Sequence, residues 1–187
     1  MAALVASNGP LDHAARRRGR PDDAYGSLVR TIVGQQLSTK AARTIYGRLA
    51  ALFGDSPPTP YDLIAAEEPA LRAAGLSRQK IGYLRDLAVR VQSGELELDN
   101  LHELPDEEVS AHITAVKGLG QWSADMFLMF HLRRPDVLPV GDLGIRRAVE
   151  RVYGLSGLPD ADDLRTLAEP WRPWRTLACF YLWKTLE

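Results

Sequence analysis

Apolar residues recur every three or four positions through most of the chain, and this spacing predicts helices rather than alternating strands. One stripe covers residues 23–35. A second covers residues 39–52, directly after Ser38, a residue type that often caps a helix N-terminus. A short helix is predicted directly after Thr59-Pro60. The other segments with this spacing cover residues 68–75, 78–91, 105–116, 121–132, 143–153, 161–169 and 174–186. The chain is therefore predicted to be all-α, with about nine or ten helices.

The stretch VKGLGQW, residues 116–122, separates two of these helices with a pair of glycines one residue apart. A glycine inside a helix costs roughly 1 kcal/mol relative to alanine, so the pair indicates a tight turn. Amides around Gly118 and Gly120, at the start of the second helix, then lack helical partners and attract an anion such as phosphate. Lys117 adds a side-chain charge. From these residues alone, a helical hairpin with a glycine turn and no ligand remains an open interpretation.

Composition limits the function classes. The 187 residues have a formal net charge of −1, so any binding of nucleic acid would depend on local charge or backbone dipoles. No apolar run is long enough to span a bilayer. The N-terminal arginines follow a short apolar start instead of preceding it, unlike a signal peptide, so a cytoplasmic protein without membrane contact is expected. Residues 1–21 are predicted to form a tail or a short cover, and residues 22–187 the core.

The single cysteine, Cys179, excludes an internal disulfide, a four-cysteine iron–sulfur cluster and a cysteine-based zinc site.

Asp142 lies about twenty residues after the glycine turn, at the predicted start of a helix. A lone aspartate in this place is most simply an N-cap. However, ITAVKGLGQWSADMFLMF, LPVGDLGIRRAV and RPWRTLACFYLW together closely resemble the helix-hairpin-helix DNA glycosylases, and among them the 3-methyladenine DNA glycosylase II (alkylbase) branch. The similarity also covers LVRTIVGQQLSTKAA and LRAAGLSRQKIGYLRDLA, and it runs from about residue 22 to the C-terminus.

The resemblance implies two helical lobes with a cleft, and a helix-hairpin-helix motif followed by a catalytic-aspartate loop. It implies base excision repair: double-stranded DNA is bound, a damaged base is flipped out, and its N-glycosidic bond is hydrolysed. The family's catalytic aspartate falls on Asp142. Its carboxylate would stabilise the positive charge that develops on the sugar, or orient the attacking water. Bifunctional relatives carry a lysine nucleophile where this chain has Trp122, so base release without AP lyase activity is expected.

The resemblance also implies a base pocket. Trp122 and Trp183 match two pocket aromatics, on which cationic 3-methyladenine or 7-methylguanine would stack with about 0.5–2 kcal/mol of attraction per contact. Core packing is the alternative role for both tryptophans. Met126, one helical turn after Trp122, replaces a tyrosine of the best-known pattern and makes the pocket less aromatic and more adaptable.

Other residues match DNA-binding positions of the family. Gln36 corresponds to the wedge that fills the gap left by the flipped base, although an ordinary polar residue at a helix end is the alternative. The remaining implied DNA contacts are Leu76, Ser77, Arg78, Lys117, Gly118 and Gly120. For the loop with Leu76, Ser77 and Arg78, a simple connection between helices is the alternative.

No cofactor is expected for catalysis. The backbone carbonyls of Thr114, Val116 and Leu119 match a structural site for Na⁺ or K⁺ in this superfamily, and a monomer is expected. Two other functions stay open. A non-catalytic helix-hairpin-helix DNA-binding module would lack Asp142 and the pocket tryptophans. A glycosylase for oxidised or mismatched bases would, in its lyase forms, carry the lysine that Trp122 replaces.

Overall fold

The computed structural model describes residues 2–11 and 21–186, without the side chains of residues 2 and 3, and every regular element in them is helical. The prediction of an all-α chain is confirmed for these residues. The helices, in chain order, are α1 (Ala2–Asn8), α2 (Ala24–Gly34), α3 (Thr39–Ala51), α4 (Pro60–Ala65), α5 (Glu68–Ala73), α6 (Arg78–Gln92), α7 (Asp106–Thr114), α8 (Gln121–Phe130), α9 (Leu143–Tyr153), α10 (Ala161–Ala168), a short 3₁₀ helix (Glu169–Trp171) and α11 (Arg175–Lys184).

Side-chain caps fix several helix starts where the sequence predicts them. The Ser38 hydroxyl accepts a hydrogen bond from an amide in the first turn of α3, and the Ser77 hydroxyl does the same in α6. Thr59 and Asp62 form a reciprocal capping box at α4, with Pro60 at the first helical position. Each cap satisfies an amide that would otherwise lack a partner, which is worth about 1 kcal/mol.

The chain divides into two compact units. The hairpin unit contains residues 21–127, and the aspartate unit contains residues 2–11 together with 128–186. In the hairpin unit the 15-residue α6 contacts α2, α4 and α5, and α2 also contacts α3. Its core consists of fully buried aliphatic side chains, each worth about 1.5–3 kcal/mol of burial. They include Leu28, Ile32, Leu63, Leu84, Leu87 and Ile113.

In the aspartate unit, α9 packs against α11, and α10 leads into the 3₁₀ helix. The N-terminal residues also pack on α11: the Tyr181 hydroxyl donates to the carbonyl of Gly9 (3.0 Å), and the Lys184 ammonium donates to the carbonyl of Asn8 (3.1 Å). The first part of the predicted tail or cover is thus a short helix. Residues 12–20 of that segment lie outside the described residues.

None of the helices in the described residues is long and apolar enough to cross a membrane. No group of three or more His, Cys, Asp or Glu side chains among them is placed to hold a metal ion.

Candidate active site

The glycine turn of residues 115–120 connects α7 to α8. Gly118 has a φ of +84°, and a Cβ added there would collide with the ring of Tyr83 on α6. Both the backbone conformation and the close packing therefore require glycine at this position. Gly120 differs, because its φ is not positive and an added Cβ would meet nothing within 4 Å. Packing within the chain does not explain Gly120.

The turn presents unpartnered amides at the start of α8. The N–H groups of Gly118, Gly120 and Gln121 have no acceptor in the described part of the chain. The amides between and beside them are occupied: that of Lys117 donates to the Asp86 carboxylate (3.0 Å), and that of Leu119 donates to the carbonyl of Val116 (3.0 Å). Three donors at the positive end of a helix can bind one phosphate.

A glutamine ties the glycine turn to the end of α2. The side-chain amide of Gln35 donates to the carbonyl of Gly118 (2.8 Å). The Lys80 ammonium in turn donates to the carbonyls of Val33 (2.7 Å) and Gln35 (2.8 Å), and burial lowers the pKa of Lys80. A cation on the last carbonyls of a helix stabilises that end. The turn after α2 and the glycine turn are thereby held in one arrangement.

Gln36 lies in the turn between α2 and α3, which we call the wedge turn (residues 35–38). It is exposed and has a φ of +58°, a left-handed conformation that is unusual for a residue other than glycine. The neighbouring Leu37 is also 38% exposed. Strain of this kind concentrates at functional sites, and the exposed tip is compatible with the predicted wedge.

The loop after α5 contains three residues that were predicted to contact DNA. The Leu76 side chain is buried (1% exposed) in the hairpin unit, so a DNA contact of this residue, which stays a prediction, would use its backbone. The Ser77 hydroxyl caps α6 by accepting from the Lys80 amide (3.1 Å). Arg78 is exposed, with its guanidinium 3.4 Å from the Glu68 carboxylate. Of the three residues, Arg78 has the side chain best placed to meet a ligand in solution.

Trp122 and Met126 lie one turn apart on α8, in the hairpin unit. The Trp122 side chain is 36% exposed, whereas Met126 is 8% exposed. A tryptophan that packs only into the core would be less exposed than this. Trp122 is therefore accessible and Met126 is almost completely buried. Their roles in a base pocket stay predictions.

Asp142 caps α9, as a lone aspartate at a helix start would. Its Oδ1 accepts the amide of Ile145 (2.8 Å) and also the indole N–H of Trp183 on α11 (3.0 Å). A Cβ at Gly144 would lie 3.0 Å from this Oδ1 and 3.1 Å from the indole nitrogen. Gly144 therefore makes room for the contact. The capping and catalytic interpretations do not compete, because two donors on one oxygen fix the direction of the carboxylate.

Trp183 is also part of an aromatic cluster. Its ring centroid lies 5.9 Å from that of Phe130, nearly parallel to it, and 5.9 Å from that of Phe180. Such pairs contribute about 0.5–1.5 kcal/mol beyond their burial. Trp183 was predicted as a pocket residue, and the structure adds that it holds the Asp142 carboxylate.

The loop leading to Asp142 is fastened to the start of α11. The Asp136 carboxylate accepts from the guanidinium of Arg175 (2.7 and 2.9 Å) and from that of Arg172 (2.7 Å). Burial alone would raise the pKa of Asp136, but these hydrogen bonds and charges outweigh it and hold the pKa below its ordinary value. The Thr176 hydroxyl donates to the carbonyl of Arg134 and accepts from the amide of Val137. The N-terminal end of α11 thus holds the beginning of the loop, and Trp183, farther along α11, holds its end.

Three backbone carbonyls were predicted to bind a monovalent cation. The carbonyl of Val116 already accepts the Leu119 amide (3.0 Å), but a carbonyl oxygen has a second lone pair. The Thr114 hydroxyl is turned back to the carbonyl of Ser110 (2.8 Å), so only the backbone of Thr114 would serve. The cation site on these three carbonyls stays a prediction.

Sequence reasoning missed several residues that position the site. Some of them had a signal in the sequence: Gln35 is a polar residue at the end of an apolar stripe, and Asp136 and Arg175 have opposite charges that can pair. Their partners were not readable from sequence. The missed residues are Gln35, Lys80, Tyr83, Asp86, Asp136, Arg175 and Thr176.

The chain is similar to proteins of one known family. The model of the HhH-GPD superfamily base excision DNA repair proteins matches residues 29–173. The chain is 34% identical over 165 residues to a DNA-3-methyladenine glycosylase of Schizosaccharomyces pombe, covering 87% of this chain and 72% of that protein.

Two solved structures show the same fold. The Schizosaccharomyces pombe 3-methyladenine DNA glycosylase in complex with abasic DNA superimposes with a TM-score of 0.89 at 32% identity, covering 98% of this chain and 89% of that one. A DNA-3-methyladenine glycosidase of Bacillus halodurans gives a TM-score of 0.75 at 40% identity, covering 97% and 86%.

Proposed function

The chain belongs to the HhH-GPD superfamily of base excision DNA repair proteins, in its 3-methyladenine DNA glycosylase branch, and on this basis we propose that it excises alkylated purines from DNA as a monofunctional glycosylase. In this reaction the bond between the base nitrogen and C1′ of deoxyribose breaks. Water supplies a hydroxyl to C1′ and an abasic site remains; a cationic alkylated purine departs as a neutral base, so the proton of the water is released to solvent.

The observation that carries the proposal is the fixed carboxylate of Asp142. Its Oδ1 is held by the Ile145 amide and the Trp183 indole. As the glycosidic bond breaks, the sugar gains oxocarbenium character, and a carboxylate that is already oriented stabilises this charge without reorganising. The same fixed carboxylate can orient the attacking water.

The absence of lyase activity is proposed from Trp122. Strand cleavage requires an amine that forms a Schiff base with the sugar, and Trp122 stands where bifunctional relatives carry that lysine. Its exposed indole is instead proposed to stack on a cationic purine, a contact worth about 0.5–2 kcal/mol. Because this preference is modest, the weakened glycosidic bond of an alkylated base accounts for most of the selectivity.

DNA binding is proposed to begin at the glycine turn. The amides of Gly118, Gly120 and Gln121 would hold a backbone phosphate at the start of α8, with the exposed Lys117 beside them. Gln36 at the tip of the wedge turn would fill the gap left by the flipped base.

We also propose that Na⁺ or K⁺ binds the carbonyls of Thr114, Val116 and Leu119 and adds positive charge next to the phosphate. The protein is proposed to act as a monomer. Light scattering at the assay concentration tests this by measuring the molar mass in solution.

The experiment uses four duplexes, each with one 7-methylguanine, hypoxanthine, ethenoadenine or 8-oxoguanine. Strand breaks are compared with and without hot alkali, and borohydride is added in a parallel series to trap any Schiff base. We expect breaks only after alkali, no trapped adduct, and the fastest release from the alkylated purine. A trapped adduct would disprove the monofunctional mechanism.

Asp142→Asn is the matched variant, because asparagine caps a helix as well as aspartate does and the fold is retained. We expect excision to fall roughly 10²-fold or more, the scale seen when a fixed transition-state contact is removed, while DNA binding persists. Near-normal excision by this variant would remove Asp142 from the catalytic role. If the wild type binds DNA but releases no base, the protein is a DNA-binding module instead.

A further inference from the structure

Charge is distributed unevenly along the hairpin unit. Between Asp23 and Asp55 the sequence contains no acidic residue, but it contains four basic ones. These are Arg30, Lys40, Arg43 and Arg48. The segment covers α2, the wedge turn and α3, and it is the basic part of a chain whose net charge is −1.

The exposed face of α3 carries three of these cations. Along this helix Lys40, Arg43 and Arg48 are exposed, whereas Leu49 on the opposite face is fully buried. At 100° per residue, the three cations lie within one side of the helix together with the exposed Thr44 and Gly47, which follows from 3.6 residues per turn. We call this surface the α3 basic face (residues 40, 43, 44, 47, 48 and 51).

The cations of this face make no ion pair with any described residue. Two arginines on other helices are, by contrast, paired at short range: Arg90 with Asp86 (3.0 Å) and Arg165 with Asp162 (2.6 Å). Unpaired like charges on one helix repel each other, so α3 gains from an external polyanion.

Gly47 provides evidence that is independent of the charges on the α3 basic face. It lies inside α3, it is exposed, and a Cβ added there would meet nothing within 4 Å. Glycine in a helix interior destabilises the helix relative to alanine, and neither packing nor a positive φ requires it at this position. A residue without a side chain in the middle of the α3 basic face allows another backbone to approach the helix closely.

We propose that the α3 basic face binds the sugar–phosphate backbone of DNA beside the wedge turn, with Lys40 and Arg43 on phosphates and the backbone passing over Gly47. The face is continuous with the proposed interface, because Ser38 belongs to the wedge turn and caps α3. From Lys40 to Arg48 the helix rises about 12 Å at 1.5 Å per residue. One strand of B-DNA carries about three phosphates over that length. This inference rests on the proposed function, since it assigns a second contact to the same DNA.

The test measures binding of the full chain to a fluorescent duplex that contains a tetrahydrofuran abasic analogue, by anisotropy, at a series of potassium chloride concentrations. The variant is Lys40→Gln/Arg43→Gln. Each phosphate contact contributes about −0.9 to the slope of log K against log salt, so the slope should become shallower by about 1.8. At about 0.1 M salt this corresponds to roughly eightfold weaker binding per lost contact.

The matched control is Arg165→Gln, which removes one exposed positive charge from α10 and should leave the slope close to that of the wild type. Thermal melting followed by circular dichroism verifies that each variant is folded. Gly47→Gln tests the close approach: its melting temperature should not fall, because glutamine forms helices better than glycine, but its DNA affinity should be lower.

An unchanged salt slope in the double variant overturns the inference. Unchanged affinity in Gly47→Gln overturns the close approach over that glycine. A wild-type chain that excises bases while both variants bind normally refutes this inference alone. A wild-type chain that binds no DNA refutes the proposed function as well.

Discussion

The contact between Trp183 and Asp142 allows a decisive test of how the carboxylate is held. Trp183→Phe removes the indole N–H that lies 3.0 Å from Oδ1. Phenylalanine keeps an aromatic ring for the stack with Phe130, whose centroid lies 5.9 Å from the indole. The capping bond from the Ile145 amide remains. The variant therefore removes one of the two donors on Oδ1 and preserves most of the packing.

The size of the effect follows from the type of bond. A hydrogen bond to a charged acceptor contributes about 1.5–3 kcal/mol. Asp142 and Trp183 are half-buried, so water compensates part of the loss and the lower end applies. About 1.4 kcal/mol corresponds to a tenfold change in rate. We expect a roughly tenfold slower chemical step, because the carboxylate loses its fixed direction.

Single-turnover excision is measured on two duplexes, one with cationic 7-methylguanine and one with neutral hypoxanthine. If Trp183 acts by holding Asp142, both substrates are slowed by a similar factor. If it acts only by stacking on the base, the loss is largest for the cationic base. An effect confined to 7-methylguanine, or no effect on either base, would refute the positioning role. Trp174→Phe is the control, since Trp174 is 61% exposed and lies at the N-terminal end of α11, whereas Trp183 lies near the C-terminal end.

Three further predictions concern the surrounding structure. Gly118→Ala should lower the free energy of unfolding by about 2 kcal/mol, because the new Cβ collides with Tyr83 and φ is +84°; urea unfolding measures this, and Tyr83→Ala in the same chain should restore part of it. Gln36→Gly should leave the melting temperature nearly unchanged, because relief of the left-handed strain offsets the greater chain entropy of glycine. It should slow excision from duplex DNA but not from single strands, and equal duplex rates would exclude a wedge. Asp136→Asn should destabilise the fold at neutral pH. The pKa of Asp136 is lower in the folded protein than its ordinary value of about 3.9, so the ionised carboxylate stabilises the fold fully above that ordinary value. This stabilisation is lost as the pH falls through the lowered folded-state pKa. Thermal melts of both proteins from neutral to acid pH should converge, and a constant difference would contradict this cause.

Local features of the sequence were sufficient for most of the helices, although α1 lies in a segment that was predicted as a tail or cover. Apolar spacing located α2, α3 and α6, and the caps at Ser38 and Ser77 appear where predicted. These features depend on residues within about four positions of each other, the range over which helical hydrogen bonds and capping operate. The glycine turn and the cap at Asp142 have the same local origin.

The burial of loop side chains is a property that local reasoning did not supply. Leu76 follows a glycine in an apparently exposed loop, yet its side chain is fully enclosed by the hairpin unit. A single apolar residue in a loop has no periodicity from which its environment can be inferred. Only the packing of the surrounding helices determines which loop side chains are enclosed.

By itself, then, the sequence determined where the helices lie, where they start, and which aspartate stands at the head of α9. The tertiary structure decided what holds the reactive groups. The Trp183 indole on Asp142 joins residues 41 positions apart, and the Gln35 amide on Gly118 joins residues 83 positions apart. Such contacts depend on which faces of distant helices meet. Periodicity shows that a helix has a buried face, but it does not identify the partner of that face. For this reason Trp183 was predicted as a pocket wall, and its contact with the Asp142 carboxylate emerged only from the fold.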